Sequence, residues 1–321
     1  MSTDTTVHPR RVRWHPIGRA ADGMLTLTND PETEETAVPE LADLLAVFDL
    51  EPTGPGTFTG ASIEFGGGSV VFGGQLLAQS MLAGATADPS KEVKSIHTIF
   101  ARGASTSEPL EFDVDVMQAG RSFASASVTA RQGPRLCTRS LVLLHAPDPD
   151  LIRHQPEAPR VGRPEEAVAS EHSTGFWEVR TVGGVDIADP DATGPAVLDV
   201  WTRFPGAPAD PMRNQALMAF ATDGFLIGTA MRPHPGVGQS LAHRTVSTSV
   251  ITHTLTFHAP VDAGRWMLLS HESPAAGQGR SYGRAHVYAE SGELLASFVQ
   301  ENMIRAFAEG RAPTPGTKSA H

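Results

Sequence analysis

The strongest constraint in this chain is that one order of elements occurs twice. Two segments of helix length are apolar nearly all round, QLLAQSMLAGA at 75–85 and NQALMAFATDGFLIGTAM at 214–231. A helix without a polar face has no side to give to water and must be enclosed. A curved antiparallel sheet wrapped around it is one way to do so. Four segments of strand character follow the first helix: KSIHTIFARG, LEFDVDVM, SFASASVTAR and LCTRSLVLLHA. Four more follow the second: STSVITHTLTFHA, GRWMLLSHES, SYGRAHVYAE and LLASFVQENMI. DVDV and SASVTA alternate with the period of two of half-buried strands. The halves share landmarks as well. GRSF at 120–123 and GRSY at 279–282 each open the third strand, and His97 and His253 lie in the first. Cys137 and Ser297 fall at the same spacing beyond the GRS arginine, to within one residue. The pattern is a tandem duplication of a unit with one long helix and about five antiparallel strands.

The expected boundaries follow. Residues 1–38 are a polar arm, and 39–147 form the N-terminal unit, which opens with the short amphipathic helix of PELADLLAVFDL and the strand TFTGASIEF. Residues 148–175 are a proline-rich linker, 176–309 the C-terminal unit, and 310–321 a disordered tail. A 321-residue chain with 40% hydrophobic residues can bury a substantial core. Its formal charge of −11 argues against nucleic acid as a partner, which would require basic stripes. No apolar run approaches the roughly 18 residues of a membrane span. The arginines near the start are not followed by the apolar stretch of a secretory signal. One cysteine, Cys137, supports neither a disulfide framework nor a cysteine-cluster metal site. A cytoplasmic location is expected.

GRSYG at 279–283 fits the G-x-S-x-G pattern of serine hydrolases, but that motif needs a strand before the serine and a helix after it. Here a turn precedes Ser281. Beyond it, Tyr282, Arg284, His286 and Tyr288 alternate with Gly283, Ala285, Val287 and Ala289, the period of a strand. Ser281 is therefore expected to open a strand and not to act as a nucleophile. Two other polar residues stand out. Asp223 ends an apolar helix run, either as a half-exposed terminal residue or as a carboxylate held for chemistry. Gln300 interrupts an apolar strand, sharing a face with Phe298 and Asn302, either as a structural amide or as a site group. Strict alternation puts Thr248, Val250 and Thr252 on one face of their strand, with Ser249 and His253 on the other. His253 and His258 then face opposite sides, which disfavours joint metal ligation, and no metal-binding or nucleotide-binding motif is present.

Taken in order, LADLLAVFDLEPTGPGTFTGAS, VFGGQLLAQSM, SIHTIFARG, GRSFASASV, NQALMAFATD, HTLTFH and LLASFVQENMIR resemble the type II acyl-CoA thioesterases, the TesB-like family, over about residues 39–309. The resemblance implies an α+β double hotdog: two tandem units, each a long helix wrapped by an antiparallel sheet. It implies hydrolysis of a fatty acyl-CoA, expected to be medium- to long-chain, by direct attack of water. That water is held by an aspartate on the second helix, a hydroxyl residue on the next strand and a glutamine on the last strand. By position these fall on Asp223, on Val250 and on Gln300. The family's pattern there is a hydroxyl residue, an apolar residue, then Asp-His, so the hydroxyl place holds Val250. Thr252 fills the family's aspartate place and is expected to substitute for the missing hydroxyl. The catalytic set is thus Asp223, Gln300 and Thr252, with no cofactor and no metal. In the first half Ala83, Lys94 and Ser140 match Asp223, Val250 and Gln300, so that half is expected to be inactive. The alternative implied by Val250 is a weakened or inactive acyl-CoA-binding hotdog protein. A hotdog hydratase lacks its Asp-x-Asn-Pro-x-His motif here. A homodimer or homotetramer is the expected assembly.

Overall fold

Helix α1 (Leu41–Phe48) starts at a reciprocal cap in which the backbone N–H of Glu40 donates to Asp43 Oδ2 at 2.9 Å. Strands β1 (Glu51–Gly54) and β2 (Thr57–Gly60) form a hairpin around Gly56, whose φ of +70° suits glycine. Helix α2 (Gly73–Ala85) follows, then β3 (Glu92–Phe100), β4 (Leu110–Ala119), β5 (Phe123–Gln132) and β6 (Arg135–His145). The connection onward contains a 3-10 turn at Pro164–Glu166 and a short β7 (Val168–Ala169), which pairs with β8 (Glu178–Thr181). After β9 (Val197–Arg203) come α3 (Pro211–Ala221) and α4 (Leu226–Met231). Strands β10 (Val246–Phe257), β11 (Met267–Gly277), β12 (Arg280–Ala289) and β13 (Leu294–Ala306) complete the fold. This is a computed structural model, and it describes residues 39–65 and 69–307. The expected arm at 1–38, the tail at 310–321 and the glycines at 66–68 lie outside the described residues.

The thirteen strands of the described residues form one antiparallel sheet, in the order β1-β2-β4-β5-β6-β3-β10-β13-β12-β11-β9-β8-β7. The two halves meet where β3 pairs with β10, and each half lists its strands outward from that seam in the same order. Helices α2 and α3 pack against each other inside the sheet. A methyl group on Gly74 would overlap the carbonyl of Phe220, so glycine is what lets the two backbones approach. The buried glutamines of α2 are satisfied: Gln75 bonds Ile63 and Ala61, and Gln79 bonds Val47 and Ala61. The architecture is an α+β double hotdog. Among the described residues no helix is long and apolar enough to cross a membrane.

Two local departures from the sequence expectation shape the site. The second apolar run is not one helix: α3 stops at Ala221, and Thr222–Phe225 turn before α4 resumes. Thr222 donates its hydroxyl to Ala219 O at 2.8 Å, a local bond that competes with continuation of the helix, and Gly224 follows. In addition, β10 does not alternate strictly. Val250 pairs with Asn302 but Thr252 pairs with Glu301, so Ile251 is an extra, bulged residue.

Candidate active site

The break between α3 and α4 frees Asp223 from the helix and aims its carboxylate at the start of α2. A methyl group on Gly73 would overlap Asp223 Oδ2, which places that oxygen against the first residue of the helix. The first-turn N–H groups of a helix have no partners within it, and its dipole favours negative charge there. The Asp223 side chain is 4% exposed, so it is a buried carboxylate and not a half-exposed helix end.

Its partner is Gln300. Nε2 of Gln300 lies 3.1 Å from Asp223 Oδ1 and 2.9 Å from His253 Nδ1, one N–H for each acceptor. On the far side of the imidazole, His253 Nε2 stands 3.2 Å from Thr222 Oγ1. The Thr222 hydroxyl is already donated to Ala219, so its oxygen accepts, and His253 is the Nε2–H tautomer. Gln300 and His253 are cross-strand neighbours on β13 and β10, both essentially inaccessible to solvent. Phe298 stacks on the His253 ring at 5.4 Å between centroids. A carboxylate is thus fixed through one oxygen by an amide, which an imidazole and a hydroxyl fix in turn. Such a chain holds the carboxylate in one orientation.

The structure brings Asp223 and Gln300 together, and it does not bring Thr252 to them. The bulge at Ile251 resets the alternation, so Val250 and His253 both face inward. Thr252 faces outward, between the exposed Glu301 and the half-exposed Ile99. Sequence reasoning missed His253 because it assumed strict alternation. The one available signal was the histidine shared by the first strand of each half. Even that equivalence is displaced, because the inward residue of β3 opposite His253 is Thr98, while His97 turns outward and lies 2.6 Å from Thr254 Oγ1. Ser281 lies on the inward face of β12, as the strand reading requires, and among the described residues its hydroxyl has no hydrogen-bond partner that could act as a base.

A cluster of aromatic rings surrounds the residue before Gly73. Phe72, just before Gly73, packs on Phe220 at 4.9 Å and on Phe65 at 5.0 Å, and Trp177 meets Phe220 at 5.7 Å. The site therefore has a polar floor at Asp223 and Gln300 and an apolar flank.

Comparison with known proteins bears on both halves. The model of an acyl-CoA thioesterase N-terminal domain matches residues 62–145, and that of an acyl-CoA thioesterase C-terminal domain matches residues 150–304. Acyl-CoA thioesterase 2 of Haemophilus influenzae is 27% identical over 294 residues, covering 83% of this chain and 98% of that one. Human acyl-coenzyme A thioesterase 8 is 26% identical over 286 residues, covering 81% and 88%. Among solved structures, a tesB protein from Mycobacterium avium subsp. paratuberculosis superposes with a TM-score of 0.71 at 26% identity, covering 83% of this chain and 99% of that one. Acyl-CoA thioesterase II TesB2 of Mycobacterium marinum gives a TM-score of 0.70 at 25% identity, covering 84% and 99%. With both halves matched in tandem on a double hotdog, this chain belongs to the acyl-CoA thioesterase family and is a thioester hydrolase.

Proposed function

We propose that the chain hydrolyses medium- to long-chain fatty acyl-CoA at a single site per chain, with Asp223 as general base and Gln300 and His253 holding it in place. The observation that carries this reading is the buried Asp223–Gln300–His253 chain at the end of α3. Water adds to the thioester carbonyl carbon as its proton passes to Asp223, a contribution of typically ~10²–10⁴-fold. The oxygen of the tetrahedral intermediate is received by first-turn N–H groups of α2, beside Gly73. The C–S bond then breaks, and the CoA sulfur takes the proton back from Asp223. The products are free acid and CoA, with no acyl group passing through Ser281. Phe65 and Phe72, partly exposed and backed by the buried Phe220, offer an apolar wall to the acyl chain near the start of α2, which supports the chain-length class.

The partner we propose beyond the substrate is a second copy of the chain, giving a homodimer or a homotetramer. Ile99, Met117, Phe123 and Leu141 are each about half exposed on the outer face of the N-terminal sheet, an apolar surface suited to such contact.

Val250 favours one competing reading, an acyl-CoA binder with weak or no turnover. Thiol release from a panel of acyl-CoA chain lengths, with binding measured on the same samples, separates the two. Turnover rising into the medium and long chains and lost in Asp223→Asn supports the proposal. Binding without thiol release supports the binder, and unchanged turnover in Asp223→Asn overturns the site.

A further inference from the structure

Asn302 lies two residues beyond Gln300 on β13 and shares its inward face. It is wholly buried, yet among the described residues neither its Nδ2 nor its Oδ1 has a hydrogen-bond partner. Its cross-strand neighbours are Val250 on β10 and Ser281 on β12. Ser281 is buried too, and its Oγ is likewise unpartnered, as is Oε1 of Gln300. Leaving such atoms unpaired in the interior is costly, and proteins keep them there where a ligand or a water completes them. The buried amides Gln75, Gln79 and Asn214 are by contrast bonded to backbone carbonyls or N–H groups. The unpartnered atoms of Asn302, Ser281 and Gln300 gather instead on one patch beside the partner of Asp223.

The N-terminal unit supplies an internal reference. With the buried Thr98–Ser140 pair set against His253–Gln300, the ladder register puts Ile96, Val142 and Ala126 where the C-terminal unit has Val250, Asn302 and Ser281. All three are apolar and buried. The fold does not need polar groups where Asn302 and Ser281 stand, and it carries them there only in the half that holds the carboxylate.

We infer that Asn302, backed by Ser281, is a water-positioning residue of the thioesterase site and takes the place of the hydroxyl absent at Val250. This rests on the reading of Asp223 and Gln300 as the site. The Asn302 Nδ2–H donates to the oxygen of the attacking water, which gives one O–H to Gln300 Oε1 and the other to Asp223. Val250 stands directly across from Asn302, so a hydroxyl at 250 and an amide at 302 serve the same spot from opposite strands.

The test uses Asn302→Leu, Asn302→Ala and the double variant Asn302→Ala/Val250→Thr, with kcat, KM and Tm measured on the full chain. Both single variants should lose about 100-fold in kcat, the scale of one removed site hydrogen bond, with KM little changed. The near-isosteric leucine variant should keep or raise Tm, because it removes an unsatisfied buried amide. Val250→Thr should restore at least about tenfold of the kcat lost in Asn302→Ala. Wild-type kcat in both single variants overturns the inference, and so does a loss of kcat that follows a loss of Tm and is not rescued by Val250→Thr. Asp223→Asn, run alongside, keeps the two readings apart. If it retains turnover, the site itself is misplaced. If it is inactive while the Asn302 variants run at wild-type rate, only the role of Asn302 falls.

Discussion

The two units share one topology and differ in what they bury at the same place. In the N-terminal unit, Thr98 Oγ1 and Ser140 Oγ face each other at 2.8 Å, two small hydroxyls that satisfy one another. In the C-terminal unit the matching strands carry His253 and Gln300, and Gln300 reaches out to a carboxylate. Helix α2 runs unbroken through Ala83 to Ala85, whereas α3 stops before Asp223 and turns. Strand β10 has its bulge at Ile251, beside the site, while β3 has its irregularity at Lys94, nearer the strand start. Register therefore places Ile96, and not Lys94, opposite Val250 in the duplication. The comparison teaches that two backbone irregularities and a few polar substitutions are what set the proposed site apart from its counterpart on the same scaffold. At the matching place the N-terminal unit keeps a hydroxyl pair that satisfies itself.

That difference can be broken at several points. The largest effect is expected from Gly73→Ala, whose new methyl group would displace the Asp223 carboxylate from the end of α2. Steady-state thiol release should fall by about 10³-fold, the scale of losing a positioned general base. Next, Gln300→Ala removes the amide between Asp223 and His253, and kcat should drop by about 100-fold with a smaller change in KM.

A third contrast concerns stability. His271 on β11 is fully buried, and its Nδ1–H donates to Leu198 O at 3.0 Å. Burial pushes its pKa down to about 4. The unfolded chain takes up the proton first as pH falls, so stability is full above about pH 6.5 and is lost progressively towards pH 4. The loss is about 3 kcal/mol by linkage. The register counterpart in the N-terminal unit is Phe112. His271→Phe should flatten denaturant midpoints across that window, and an unchanged acid dependence would remove His271 as its source. The smallest effect is expected from Thr252→Val. The side chain faces outward, so kcat should stay within about twofold, as for a surface change away from the site.

The duplication was legible in the sequence because apolar helices and alternating strands leave different periods. Ser281 could be set aside because Gly283, Ala285 and Val287 alternate with polar residues. Asp223 and Gln300 were legible as polar residues in apolar runs, and the family resemblance gave them a shared purpose. Two features were not legible, since each is a single-residue break in a regular pattern. Nothing in SVITHT shows that Ile251 bulges, so strict alternation sends His253 outward and Thr252 inward, the reverse of what the ladder produces. The helix break lies inside a segment apolar enough to continue, and only Thr222 and Gly224 hint at it. Asn302 was visible on the face of Gln300. Its meaning needed the observation that its amide is buried and unpartnered.

The central claim is that the catalytic carboxylate and the side chains that hold it belong to the C-terminal unit, the N-terminal unit lending only the start of α2 and no catalytic side chain. The direct test is kcat for acyl-CoA hydrolysis in Asp223→Asn set beside the double variant Thr98→Val/Ser140→Ala, both with Tm recorded. Replacing both hydroxyls of the N-terminal pair removes a self-contained bond, which is nearly neutral when both partners become apolar. The account predicts wild-type turnover, within about twofold, for the N-terminal double variant, and a loss of at least about 100-fold for Asp223→Asn at unchanged Tm. Retained turnover in Asp223→Asn, or a loss confined to the Thr98/Ser140 variant, would contradict it.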